Sequence, residues 1–193
     1  MKKQYLLCIL LFIAGFQMQA QLQISSGGTN YLITFDGNMA GVNNGAFQGT
    51  GFSPSPAAGQ LSSNAWATTG ASEGDSAFGD TKTSGVFAKG ISVGGVVDGG
   101  FYAFDVDEKV NTTNYALGFQ PTQNDFTPGS ITLKIENTTG QYIEAINLAF
   151  KIWNFNDFDY STKLSFAYSY DNITFVDVSV LNYSSPAVFV ADP

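Results

Sequence analysis

The sequence predicts an all-β chain, folded as an antiparallel β-sandwich of jelly-roll type, and three observations carry that expectation. Apolar and polar residues alternate over several short runs, the period of a strand with one face buried. Seventeen of the 21 glycines fall between Gly27 and Gly100, where they punctuate short segments with turns. Aromatic residues make up 15% of the chain and charged residues only 12%. That balance suits a sheet whose polar face is built from Ser, Thr, Asn and Gln.

The chain opens with Lys2 and Lys3, an apolar run from Tyr5 to Phe16, and Met18-Gln19-Ala20 before Gln21. Charge, apolar stretch and a small residue at the cut point form the layout of a secretory signal peptide, residues 1–20. The run is shorter than the ~20 apolar residues that span a bilayer. Cys8 stands too early in it for a lipoprotein cysteine. The remaining 173 of 193 residues are enough for one core and are read as a single β-sandwich domain, 21–193.

Within that domain the glycine-rich half predicts short strands at Tyr31–Phe35, Phe47–Gly51, Asn64–Thr68, Gly85–Ala88 and Ile91–Val97. Asn43-Asn44-Gly45, Ser53-Pro54-Ser55-Pro56 and Asp98-Gly99-Gly100 supply the turns between them. Phe35, Phe47, Phe52, Trp66, Phe78 and Phe87 are interleaved through this half and require a core. From Tyr102 onward the alternation is clearer. Tyr102, Phe104 and Val106 share one parity; Ile131, Leu133 and Ile135 alternate with Thr132, Lys134 and Glu136. Asn137-Thr138-Thr139-Gly140 turns the chain. Ile146, Leu148, Phe150 and Ile152 then form a stripe facing away from Asn147, Lys151 and Trp153. The segment Glu144–Phe155 also fits a helix, but its neighbours favour a strand. Leu164, Phe166, Tyr168 and Tyr170 form the next buried stripe, Asp171-Asn172 a turn, and Val176, Val178 and Val180 a further strand. Ala187-Val188-Phe189-Val190 reads as a strand with no return partner. An open apolar edge is a hazard that natural domains avoid, so the domain is expected to lack its last strands.

Several of these blocks together resemble a known kind of module. They are Ile33-Thr34-Phe35-Asp36, Gly45-Ala46-Phe47, Trp66, Gly100–Phe104, Ser130–Gly140, Ile146–Trp153, Lys163–Asp171 and Thr174-Phe175. The pattern is similar to the N-terminal β-sandwich modules of secreted multi-domain Gram-negative bacterial proteins, which often carry a C-terminal sorting domain. The resemblance implies a sandwich fold, further domains in the same polypeptide, and neighbours that include nucleases and other hydrolases. It implies no catalytic residues.

Composition excludes several function classes. The chain has no histidine, its single cysteine lies in the leader, and all eight of its basic residues are lysines. The usual catalytic base, the thiolate nucleophile and the preferred zinc and copper ligands are therefore absent. Beyond the leader, six lysines face 16 acids, which leaves no basic stripe for nucleic acid and no attraction to anionic lipid. Gly70-Ala71-Ser72-Glu73-Gly74 matches the G-x-S-x-G nucleophile elbow, but no histidine can take the serine's proton. Four N-x-S/T triplets, at Asn111, Asn137, Asn172 and Asn182, read as turn chemistry.

Two sets of residues remain as candidate sites. Trp153 has outward parity, and Phe155, Phe158 and Tyr160 follow it in an Asn/Asp-rich loop. Flat rings beside amides and carboxylates form a platform for sugars. The competing reading makes Trp153 part of a second buried face. The other set is oxygen-rich and would suit calcium, which takes six to eight oxygen ligands. It comprises Asp105, Asp107 and Glu108, then Asn156, Asp157 and Asp159 beside Asn154, with Asp36-Gly37-Asn38 weaker. Asx-capped turns are the alternative. Asp105/Asp107 and Asp157/Asp159, each two apart, are also the carboxylate pairs placed for a glycosidase. Nothing in sequence separates the pKa values of either pair.

The sequence thus points to a secreted or cell-surface, non-catalytic module for extracellular binding or adhesion. Its expected partner is polysaccharide or a cell-surface glycan, with calcium as the candidate cofactor, no nucleic acid, and no membrane insertion after signal cleavage. The alternative is a structural N-terminal module of an exported nuclease or glycosidase whose catalytic domain lies beyond residue 193.

Overall fold

The computed structural model describes residues 21–107, 113–155 and 160–188. Among them the regular structure is strand with short 3-10 turns and no α-helix, so the chain is all-β. Residues 1–20, read from sequence as a signal peptide, lie outside the described residues. No helix among those described is long and apolar enough to cross a membrane.

The strands are short and pair in six small sheets. Leu22–Ile24 (β1) runs parallel to Ile135–Asn137 (β10). Gln60–Ser62 (β4) lies between Asn43–Asn44 (β2), antiparallel, and Phe52–Ser53 (β3), parallel. Trp66–Thr69 (β5) pairs antiparallel with Ser130–Leu133 (β9). Gly100–Asp105 (β7) is central to the most extensive ladder. It has Ile91–Ser92 (β6) parallel on one side and Tyr115–Gln120 (β8) antiparallel on the other. Near the C-terminal end, Lys163–Leu164 (β11) pairs with Tyr183–Ser184 (β14), and Ala167–Tyr168 (β12) with Val176–Asp177 (β13).

Three of these pairings are parallel, so the sheets are mixed rather than purely antiparallel as the hairpin pattern predicts. Left-handed glycines cut the strands short and let the backbone turn back on itself closely. Gly51 (φ 94°) shows the reason. A Cβ there would sit 2.2 Å from the Lys82 carbonyl oxygen, against which the chain forms a two-way bridge between Phe52 and Lys82.

The core is aromatic. Phe47, Phe52, Phe87 and Phe101 are fully buried with Leu61 and Val42. The Phe101 ring lies 5.2 Å from Phe52 and 4.8 Å from Phe126, edge to face. Trp66 closes one side, its indole Nε1–H donating to the Val42 carbonyl at 3.2 Å. Tyr31, Ile33 and Phe35 pack on this core, although the predicted strand Tyr31–Phe35 joins no ladder. Phe47–Gly51 likewise joins none, and Gly85–Phe87 is a 3-10 turn.

The predicted strand over Ser130–Glu136 breaks at Lys134, whose amide bonds the Ala65 carbonyl at 2.8 Å. The break moves Ile135 off the buried parity of Ile131 and Leu133 and leaves it 44% exposed. Ile146–Ile152 is a larger departure. It is neither ladder nor helix, and Ile146, Leu148, Phe150 and Ile152 are all exposed. Tyr168 and Tyr170, expected inside, are also exposed, their rings in an edge-on pair at 5.5 Å. The reason is shared: among the described residues, no sheet covers this half, so alternation has no second layer to face. The Ala187–Val190 run falls partly outside the described residues, and Val188 is exposed.

Candidate functional site

Trp153 and Phe155 lie on the segment that joins no sheet and are 40% and 38% exposed. Phe155 is held at one side by Gly94, where an added Cβ would meet its ring at 3.5 Å. Phe150, earlier on the same segment, stacks near-parallel on Phe166 with the ring centroids 6.1 Å apart. Tyr160 is largely exposed, and Phe158 lies outside the described residues. Trp153 is thus exposed, but less than Ile146, Leu148 and Phe150 and about as much as Ile152 beside it, so the in–out division expected of a strand is not present on this irregular segment. Asn154 beside it has a buried amide nitrogen, Nδ2, with no hydrogen-bond partner among the described residues.

The acidic candidates divide. Asp105 ends β7 and Asp107 stands in the turn after it, so the two do not project from one strand face as the spacing implied. Asp105 Oδ1 accepts the amides of Asp107 and Asn114, both at 3.3 Å. Asp107 Oδ2 accepts the Asn114 side-chain amide at 2.8 Å. Asp36 reaches the same corner and accepts the Tyr115 amide. These carboxylates act as turn and strand caps, and among the described residues no three acids are grouped to hold a metal ion. Glu108, Asn156, Asp157 and Asp159 lie outside the described residues.

Ser72, of the G-x-S-x-G match, sits in a turn rather than at a strand-to-helix elbow. Its amide donates to Asp125 Oδ1 at 2.8 Å, and Thr122 Oγ1 donates to Oδ2 at 3.1 Å. Burial pushes the Asp125 carboxyl up. The hydrogen bonds from Ser72 and Thr122 and the charge of Lys89 together outweigh it, and the net shift is downward. Asp125 is an internal clamp between loops.

A further concavity, which the sequence did not single out, lies over the outer face of the β5–β9 ladder. It measures about 300 Å³ and is lined by Ala67, Thr69, Ser130 and Thr132 from the two strands. Asp75, Ser76, Ala77 and Phe78 also line it, as do Asn172 and Phe175 from the C-terminal half. In β5 Trp66 and Thr68 are buried while Ala67 and Thr69 face out, so strand parity supplies the floor. Opposite register partners Ala67–Thr132 and Thr69–Ser130 line up, with Thr69 and Ser130 hydroxyls 2.8 Å apart. The turn that carries Asn172 is set by Asp171. Its Oδ1 accepts the amides of Ile173 (2.9 Å) and Thr174 (2.8 Å), which fixes the turn with Asn172 at φ 58°. The Thr174 and Ile173 amides, with the Ser169 hydroxyl, hold the Asp171 carboxyl down to about 2. The sequence showed Asp171-Asn172 as a turn and Thr132 as outward, but not that Asn172 and Thr132 line one concavity.

Comparison with family models, with curated proteins and with solved structures finds no match to this chain.

Proposed function

We propose that the chain is a secreted or cell-surface module that binds extracellular polysaccharide or cell-surface glycan and catalyses no reaction. The observation that carries this reading is the exposed Trp153, with Phe155 close by in sequence and Tyr160 beyond, on a segment free of any sheet. A large ring held half-open to solvent by the fold is the usual anchor of a recognition surface. The absence of histidine and of any cysteine outside the leader supports binding over acyl-transfer or thiol chemistry. The leader and the resemblance to secreted N-terminal modules support an extracellular setting.

The test is retention on insoluble polysaccharides (cellulose, chitin, xylan and an α-glucan) by the chain without its leader. Trp153→Ala is expected to lower retention on the bound polymer at least tenfold with an unchanged circular dichroism spectrum. Equal retention by the variant, or none by the parent on any polymer or on a glycan array, overturns the reading.

The alternative of a structural module for an exported hydrolase is favoured by one observation. Ile146, Leu148, Phe150, Ile152 and Val180 are exposed in the same half of the chain, more apolar surface than a lone domain usually leaves open. A catalytic domain encoded downstream of residue 193, together with inert behaviour on every glycan, would favour it.

A further inference from the structure

We propose that the cleft over the β5–β9 ladder is a second sugar site, which takes a single neutral hexopyranose ring. The inference rests on the glycan-binding reading for its ligand class, but it concerns a different part of the surface from Trp153.

Three features of the cleft select such a ligand. The first is size: about 300 Å³ is the lower end of small-molecule sites, ~300–1,000 Å³, and suits one ring rather than an extended chain. The second is the mix of lining groups. Phe78 and Phe175 supply apolar ring faces, and Phe175 is 49% exposed, so its face is open to a ligand. Around them stand hydroxyls that both donate and accept, at Thr69, Ser130 and Thr132, and the Asn172 amide. A pyranose presents the matching surface, with C–H faces for the rings and hydroxyls of both hydrogen-bonding senses at its edge. The third is charge. Asp75 uses Oδ1 to accept the Gly70 amide at 2.9 Å, and Oδ2 has no partner among the described residues. A free carboxylate oxygen binds a sugar hydroxyl well and repels a uronate. Lys134 is not itself a lining residue, but its Nζ stands over the Phe78 ring, 5.7 Å from the centroid, so Phe175 offers the open ring face.

The floor is rigid, because it is the outward parity of a paired ladder. The Asp171 hydrogen bonds fix the local shape of the turn that carries Asn172. A floor already paired in a ladder lowers the ordering cost of binding.

The experiment uses the chain without its leader, labelled with 15N, and titrates the methyl glycosides of glucose, galactose, mannose and N-acetylglucosamine, with methyl glucuronide as the charged control. At least one neutral glycoside is expected to shift the amides of Thr69, Thr132 and Asn172 in a saturable way, and glucuronide at least tenfold more weakly. Phe175→Ala and Thr132→Val, both surface changes, are each expected to weaken that binding at least fivefold, while Trp153→Ala leaves it unchanged. Polysaccharide retention with no shift at the cleft from any glycoside overturns this inference and leaves the proposed function standing. Shifts that persist unchanged in both cleft variants overturn it equally. No retention and no shift anywhere removes both.

Discussion

Replacing Phe101 by alanine tests the core directly. Phe101 is 1% exposed, and its ring meets those of Phe52, Phe87, Phe119 and Phe126 at centroid distances of 5.2, 6.2, 6.4 and 4.8 Å. The variant removes a buried ring from a cluster of rings. Buried Phe→Ala changes cost about 3–5 kcal/mol, the upper part where the walls cannot collapse. Here β7 is locked on both sides by ladders, which argues for the upper part. Net stabilities of about 5–15 kcal/mol make that a large share of the whole. For a chain of this length the midpoint of thermal unfolding should fall by about 6–20 °C. Urea titration followed by tyrosine and tryptophan fluorescence measures the loss, with the slope unchanged. Trp153→Ala run beside it should lose less than about 1 kcal/mol, since Trp153 is 40% exposed. A Phe101→Ala loss under about 1 kcal/mol, or a larger loss at Trp153, would refute the division between core and display surface on which the functional reading stands.

Three further outcomes can be measured. Asp125→Ala should cost about 1.5–3 kcal/mol by stranding the Ser72 amide and the Thr122 hydroxyl, checked by denaturant titration at neutral pH. Because the folded-state carboxyl is depressed below 3.8, its stabilisation is complete above the unfolded value. It is lost as the pH falls through the lower folded value, so the acid limb of the stability profile should flatten in Asp125→Asn. Calcium held by Asp105 and Asp107, with Glu108 as the sequence suggests, would bind only the folded chain. A concentration about a hundredfold above its dissociation constant should then add about 2.7 kcal/mol. A thermal shift at millimolar calcium that is lost in Asp107→Asn is the outcome sought, and no shift retires the metal.

The sequence made the all-β class readable because its signals were local. Thr132 and Lys134 facing away from Ile131 and Leu133, and the Asp171-Asn172 turn, needed only neighbours along the chain. The aromatic core was legible in part: Phe47, Phe52, Trp66 and Phe87 lie inside, but Phe35 and Phe78 are half-buried, and Phe101 at the centre of the rings was not singled out. Pairing was not legible. A period-two stripe states which residues share a face, but not whether a layer exists to cover it, and Ile146–Ile152 has the stripe without the cover. Glycine-rich turns likewise read as hairpins, whereas Gly51 and its neighbours bring Phe52 alongside Leu61 in parallel. Trp153 was read as outward from a strand parity that the structure does not contain, and it is exposed because the segment is unpaired.

The proposed cleft site illustrates how a concavity can be hidden in a chain whose local motifs are all ordinary. Its floor comes from 67–69 and 130–132, its walls from 75–78 and 172–175, and strand and turn segments far apart along the chain meet there. Each piece alone has an ordinary explanation: outward threonines on a strand, a turn acid, a phenylalanine after a hairpin turn. Only the register Thr69–Ser130 and Ala67–Thr132 brings the hydroxyls to one face, and Asn172 and Phe175 join them from a segment some forty residues on. Residue types specialised for chemistry announce themselves in sequence, because few other roles need them. A sugar site is built from residues that every sheet protein uses on its surface, so its information lies in their juxtaposition. That asymmetry is why the catalytic match at Ser72 was conspicuous and without a base, while the concavity over β5 and β9, which has the groups a neutral sugar needs, left no mark in the sequence.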